Sequence, residues 1–266
     1  MDRMAFIDID DDAGKRRLHY RSEGSRRRPC LLLSNSLGTE LSMWDAQAEA
    51  LAADFFVLRY DTRGHGASGA GERPFGIRQL GQDVLALLDH LDIERAAVCG
   101  ISMGGLTAQW LGIHAPQRVA ALVLANTAAR IGSPEAWTMR AAQVRAAGMD
   151  AVADGAAARW FTPGFIERTP GTVAGMVRTL RRQDAEGYAA CCGALAEADL
   201  RDAVHRIEAP TLVIAGEQDP VTTVADAAWL CERIAGAQLE TLPASHLSNV
   251  EAATAFTRAL RGFWSR

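Results

Sequence analysis

The sequence predicts an α/β fold: a mostly parallel eight-stranded sheet flanked by helices, with a helical insertion. Three observations lead there. From Cys30 to Ala125, continuous apolar runs, the mark of strands covered on both faces, alternate with segments whose apolar residues have helical spacing. Between Gly132 and Asp199 that alternation stops, and Ala-rich, helix-favouring sequence runs too long to be a simple loop. From Pro210 onward the alternation resumes. The 266 residues fit one large α/β domain or a domain with a small insertion. We divide them into a first core part over 1–131, a helical cap over 132–199 and a second core part over 200–266.

In chain order, Met4 to Ile9 and Leu18 to Ser22 alternate as an opening hairpin around Asp10-Asp11-Asp12-Ala13-Gly14, expected as antiparallel edge strands. Cys30 to Leu33 is a buried strand that empties into the polar turn Ser34 to Thr39. Trp44 to Ala53 reads as helix, Phe55 to Tyr60 as strand, and Asp61 to Ser68 as a Gly-rich loop. The helix from about Ile77 to Leu91 places Leu80, Val84, Leu87, Leu88 and Leu91 on one face. Strands follow at Ala96 to Cys99 and Val119 to Ala125, with the helix Leu106 to His114 between them. After the insertion come the strand Thr211 to Ala215, a helix around Val224 to Ile234, the strand Gln238 to Leu242 and an amphipathic helix from Ala253 to Trp264.

Composition narrows the function classes. A formal net charge of −4 with 48% hydrophobic residues is ordinary for a globular chain and suggests neither a nucleic acid nor an anionic membrane as partner. Arg26-Arg27-Arg28 reads as a solvated turn between strands. The five cysteines are odd in number and none forms a spaced metal-ligand pair, so no metal is expected and a reducing compartment fits. The N-terminal residues lack a basic-then-apolar signal pattern, and no apolar run is long enough to span a bilayer; the expected location is the cytoplasm. The oligomeric state stays open.

The chemistry centres on Gly100-Ile101-Ser102-Met103-Gly104, a sharp turn between strand and helix. Such a turn strains the serine backbone, and the glycines two positions either side remove Cβ atoms that would collide with the adjoining strand and helix. Ser102 is thereby held out at the carboxyl end of the sheet as a nucleophile, with the Met103 amide at a helix N-terminus as one oxyanion donor. The turn after Cys30 to Leu33 should supply the second donor, by position Leu37. A serine hydroxyl needs a base, itself oriented by a third group. His246, just past the last strand, is the expected base; His65 also follows a strand but sits in a Gly-rich loop, His19 and His205 fall on edge or surface elements, and His90 and His114 on helices. Asp219, beyond the strand Thr211 to Ala215, is the expected orienting acid, with Glu217 as its rival. The end of the strand Val119 to Ala125 offers only Asn126-Thr127, which cannot supply a carboxylate. Trp160 reads as core packing.

With these residues in place, the chain resembles the α/β-hydrolases over essentially its full length; the loop Asp61 to Ser68, the segment Gly216 to Pro220 and the order Ser102, Asp219, His246 are all similar to that superfamily. Many members carry His-Gly at the first oxyanion turn, where this chain has Asn35-Ser36. Asn35 to Thr39, Trp44-Asp45, Arg159 to Phe165 and Ser245 to Glu251 resemble the 3-oxoadipate enol-lactone hydrolases of aromatic-compound catabolism, in the β-ketoadipate pathway. The resemblance implies a cofactor-free acyl-enzyme mechanism on a small lactone that carries a carboxylate. Asn35, Arg130 and Trp137 are then the expected substrate-binding residues, Arg130 for the carboxylate and Trp137 to stack on or donate to the ligand. A dehalogenase or epoxide hydrolase would need a carboxylate at Ser102. Carboxylesterases, carbon–carbon hydrolases of ring-cleavage products and cofactor-free haloperoxidase-like enzymes share the triad, and a ligand-binding receptor on the same fold is the alternative from another class.

Overall fold

A computed structural model describes residues 5–11 and 14–264. Its first strands, β1 (Ala5–Asp11) and β2 (Gly14–Glu23), form the expected antiparallel hairpin. Met4, Asp12 and Ala13 of that expectation lie outside the described residues. Next come β3 (Cys30–Ser34), a 3-10 turn (Leu41–Trp44), α1 (Asp45–Leu51), β4 (Phe56–Tyr60), α2 (Ile77–His90), β5 (Ala96–Ile101), α3 (Met103–His114) and β6 (Val119–Ala125). The helices α4 (Pro134–Ala147), α5 (Asp150–Ala153), α6 (Ala156–Trp160), α7 (Pro163–Arg168), α8 (Pro170–Arg181) and α9 (Ala185–Glu197) then intervene before β7 (Thr211–Gly216). The chain closes with α10 (Val224–Arg233), β8 (Gln238–Leu242), α11 (Ser248–Glu251) and α12 (Ala253–Trp264).

The strands lie in one eight-stranded sheet of order β1-β2-β4-β3-β5-β6-β7-β8, antiparallel at β1/β2 and β2/β4 and parallel elsewhere. β2 departs from the sequence expectation. It is not an edge strand, because Tyr20 to Glu23 pair with Val57 to Tyr60 of β4. His19 is consequently buried, its Nδ1 2.7 Å from Asp61 Oδ2, and not on a surface element. β3, β5, β6 and β7 are buried along almost their whole length, which is why they read as unbroken apolar runs instead of alternating ones.

Parallel pairing puts the carboxyl ends of β3, β5, β6, β7 and β8 on one edge of the sheet, in register: Ser34 pairs with Gly100, Ile101 with Ala125, Ala125 with Ile214 and Gly216 with Leu242. The connections run one way from β3 to β4 and the other way from β5 onward. The crevice between β3 and β5 is therefore the switch point where open α/β sheets hold ligands. Loops leaving those strand ends carry Leu37, Ser102, Asn126, Asp219 and His246.

Candidate active site

Ser102 is the only break between β5 and α3. It has φ 58° and ψ −116°, a strained conformation for an L-residue, held by its amide donating to the Ala125 carbonyl at 3.1 Å. Thr127 Oγ1 donates to the Ser102 carbonyl at 2.8 Å and fixes the turn from the β6 side. The flanking glycines are required by close approach: a Cβ on Gly100 would lie 2.1 Å from the Gly104 carbonyl oxygen, and one on Gly104 would lie 2.2 Å from that of Ser34. α3 begins at Met103, so its amide stands at the positive end of the helix dipole beside the serine.

His246 is buried, and its Nδ1 lies 2.8 Å from Asp219 Oδ2. The Asp219 carboxylate is saturated with donors. Oδ2 also accepts from Asn126 Nδ2 at 3.0 Å and Thr222 Oγ1 at 2.8 Å, while Oδ1 accepts from the amides of Val221 at 2.7 Å and Thr222 at 3.1 Å. Burial works against its charge, yet the bonds from His246, Asn126 and the Val221 amide hold its carboxyl below the usual aspartate range. Glu217, the rival acid, points elsewhere: it is exposed and lies 3.5 Å from Thr241 Oγ1.

Asn126 is one residue that sequence reasoning passed over; Arg140, Arg159 and Tyr188 of the cavity wall are others. Having no carboxylate, Asn126 looked inert as an orienting group, but its amide joins Asp219 to the Ser245 carbonyl at 3.2 Å while its Oδ1 accepts from Ser248 Oγ at 2.5 Å. It also sits at φ 44°, a left-handed conformation that asparagine tolerates better than most residues. A polar residue with turn propensity directly after a buried strand was the available signal.

Two sequence expectations are corrected around the first turn and the insertion. Asn35 does not face a ligand: it is buried, its Nδ2 donates to the Tyr60 carbonyl at 2.8 Å and its Oδ1 accepts from Trp44 Nε1 at 3.0 Å, so it braces the turn that presents Leu37. His65 braces the same turn, its Nε2 accepting from the Gly38 amide at 2.9 Å; burial pushes its pKa down and favours the neutral acceptor form. Arg130 is absent from the cavity lining, although Ile131 and Gly132 belong to it, and its guanidinium lies 3.6 Å from Asp199.

The cavity itself, about 280 Å³, opens over Ser102, Leu37 and His246 on the sheet side and is closed by Trp137, Arg140, Arg159, Trp160 and Tyr188 from the insertion. Trp137 does line it, but its indole N–H donates to the Ile131 carbonyl at 2.6 Å, which leaves the ring face as its contribution. Trp160 is buried as expected and lines the cavity as well. Arg140 lies over the Trp137 ring at 4.8 Å, and Arg159 donates to the Val152 carbonyl at 2.6 Å. Among the described residues neither arginine has an acidic partner. Burial and the neighbouring Arg140 cation lower the pKa of Arg159, and burial pushes Tyr188 up to about 12, so the phenol stays a neutral donor. Two arginines lining one small cavity, neither with an acidic partner among the described residues, give it a cationic wall.

Among the described residues no cluster of three His, Cys, Asp or Glu side chains could hold a metal ion, and no helix is long and apolar enough to cross a membrane.

Residues 29–253 match the family model described as the alpha/beta hydrolase fold. The chain is 55% identical over 249 residues to 3-oxoadipate enol-lactonase 2 of Acinetobacter baylyi, covering 94% of this chain and 93% of that one. It is 41% identical over 263 residues to 3-oxoadipate enol-lactonase 1 of the same organism, covering 99% and 98%. The crystal structure of the enol-lactonase from Burkholderia xenovorans superposes with a TM-score of 0.94 at 46% identity, covering 98% of this chain and all of that one (100%).

Proposed function

The chain belongs to the alpha/beta hydrolase fold family, and from that premise we propose that it opens the lactone ring of 3-oxoadipate enol-lactone to give 3-oxoadipate, as a Ser-His-Asp enzyme. It is a carboxylic ester hydrolase acting on a small-molecule lactone. The observation that carries the site assignment is that the Asp219–His246 pair, Ser102 and two arginines without acidic partners converge on one cavity.

In this reading Ser102 Oγ attacks the lactone carbonyl while His246 takes its proton. The amides of Leu37 and Met103 hold the oxyanion, the latter at the N-terminus of α3. Asp219 keeps Nδ1–H pointed at itself and stabilises the imidazolium. Collapse of the intermediate breaks the ring C–O bond; the departing enolate takes the proton from His246 and relaxes to the ketone. Because the lactone is cyclic, the whole substrate stays attached as one acyl group. Water, deprotonated by His246, then attacks that acyl group and frees Ser102.

Arg140 and Arg159 receive the substrate carboxylate, with Trp137 stacked beneath Arg140. Residues 132–199 act as a cap: they close the cavity to bulk water and supply its cationic wall. The test is the loss of the enol-lactone's ultraviolet absorbance, corrected for spontaneous hydrolysis, with wild type and Ser102→Ala. Efficient turnover that disappears in Ser102→Ala supports the reading. Cleavage of a generic ester without cleavage of the lactone overturns the substrate and keeps the triad.

A further inference from the structure

We propose that Glu251 is a positioning residue for His246, clamping the histidine loop to the cap. The inference rests on the reading of Ser102 and His246 as nucleophile and base. Glu251 ends the short α11, a little downstream of His246. One of its oxygens, Oε2, accepts from the Ser245 amide at 2.8 Å, immediately before the histidine. Its other oxygen accepts from the Thr162 hydroxyl, and the Thr162 amide lies 3.3 Å and 3.2 Å from the two oxygens. Immediately after the histidine, the Leu247 amide donates to the Trp160 carbonyl at 3.0 Å. Both chain neighbours of His246 are thus tied to the cap segment 160–162.

That segment starts at the cavity, where Arg159 and Trp160 face His246 across the same space. The opposite side of the loop is tied to the sheet by other atoms of Ser245: its carbonyl accepts from Asn126 Nδ2, and its hydroxyl donates to the Gln218 carbonyl at 3.3 Å. The Ser245 amide is left to Glu251. The general base must keep Nδ1 on Asp219 while presenting Nε2 to Ser102, and small displacements of such a group are costly in rate. A carboxylate suits the clamp because it offers two acceptor oxygens to three converging donors. Glutamine in its place has one acceptor oxygen for the Ser245 and Thr162 amides, and its NH2 can satisfy only the Thr162 hydroxyl.

The experiment follows labelling of Ser102 by a fluorophosphonate, in which Ser102 Oγ bonds to phosphorus, fluoride leaves and His246 takes the proton; no lactone is involved. Glu251→Gln should label about ten- to hundredfold more slowly than wild type. On p-nitrophenyl acetate it should lose kcat with little change in KM. Thr162→Val should slow labelling in the same direction, and Thr162→Ser, which keeps the hydroxyl, should restore it. Should Glu251→Gln fail to fold, Thr162→Val, outside the histidine loop, carries the test with Thr162→Ser as its control. Glu251→Gln and Thr162→Val proteins that melt like wild type and label at the wild-type rate overturn the clamp. A wild type that does not label at Ser102 overturns both the clamp and the nucleophile. A wild type that labels at Ser102 but leaves the lactone intact overturns the substrate alone, and the labelling series still decides the clamp.

Discussion

Replacing Arg140 or Arg159 by leucine should separate charged from uncharged substrates. Both arginines line the cavity, and among the described residues neither has a carboxylate of the protein to pair with. A hydrogen bond to a charged group contributes about 1.5–3 kcal/mol, so each substitution should lower kcat/KM on the enol-lactone by about ten- to 150-fold. On a neutral ester of similar size, the same variants should stay near the wild-type rate, because the triad and the oxyanion donors are untouched. Arg159→Leu also frees the Val152 carbonyl, worth about 1 kcal/mol. It removes a half-buried cation from beside Arg140 at the same time, so its melting temperature should stay close to wild type. Arg130→Leu is the control: with its guanidinium 3.6 Å from Asp199 and outside the cavity, it should not discriminate between the substrates. Steady-state kinetics on the two substrates decides. Equal losses on lactone and neutral ester in the Arg140 and Arg159 variants, or a lactone-selective loss confined to Arg130→Leu, would refute the assignment.

Asn126→Ala should cost about 4 kcal/mol, roughly half from the lost hydrogen bond to the Asp219 carboxylate and the rest from the stranded Ser248 hydroxyl and a left-handed alanine. Urea unfolding reads this directly, and a loss well under 1 kcal/mol would show that the amide does little there. Asp219 makes stability depend on pH in a fixed sense: its folded-state carboxyl is held below the usual range, so its contribution is complete above about pH 5 and fades as pH falls through the folded value. The stability advantage of wild type over Asp219→Asn should accordingly shrink as pH falls below about 5 and through the folded value. An advantage that grows on acidification would contradict the sign. The same variant should keep ligand binding and slow acylation by orders of magnitude, through loss of the correct histidine tautomer.

What the sequence disclosed follows from where its constraints are local. The runs Cys30 to Leu33 and Val119 to Ala125 are legible as strands because both faces of a parallel sheet are covered. Ser102 is legible because a strand, a tight glycine-flanked turn and a helix meet within a few residues. Asp219 and His246 follow from the same rule, since residues just past parallel strands share one edge. Long-range pairing was not legible: the hairpin looked like an edge because nothing in β2 reveals that β4 docks on its second side, which also hid the burial of His19. The cap failed differently. Arginine supplies nearly every basic residue here, so Arg130 could not be told from Arg140 and Arg159 until the packing of the insertion helices placed the latter two in the cavity wall. Asn35 misled because a buried polar side chain in an active-site turn can serve the backbone as readily as a ligand.

The most direct test of the central claim is mass spectrometry of the enzyme quenched within its first turnovers on the enol-lactone. Ring opening by Ser102 should leave a peptide containing Ser102 heavier by the mass of the entire lactone, since a cyclic ester expels no separate leaving group. The adduct should be absent from Ser102→Ala. Product formation with no such adduct, or an adduct on another residue, would contradict an acyl-enzyme at Ser102.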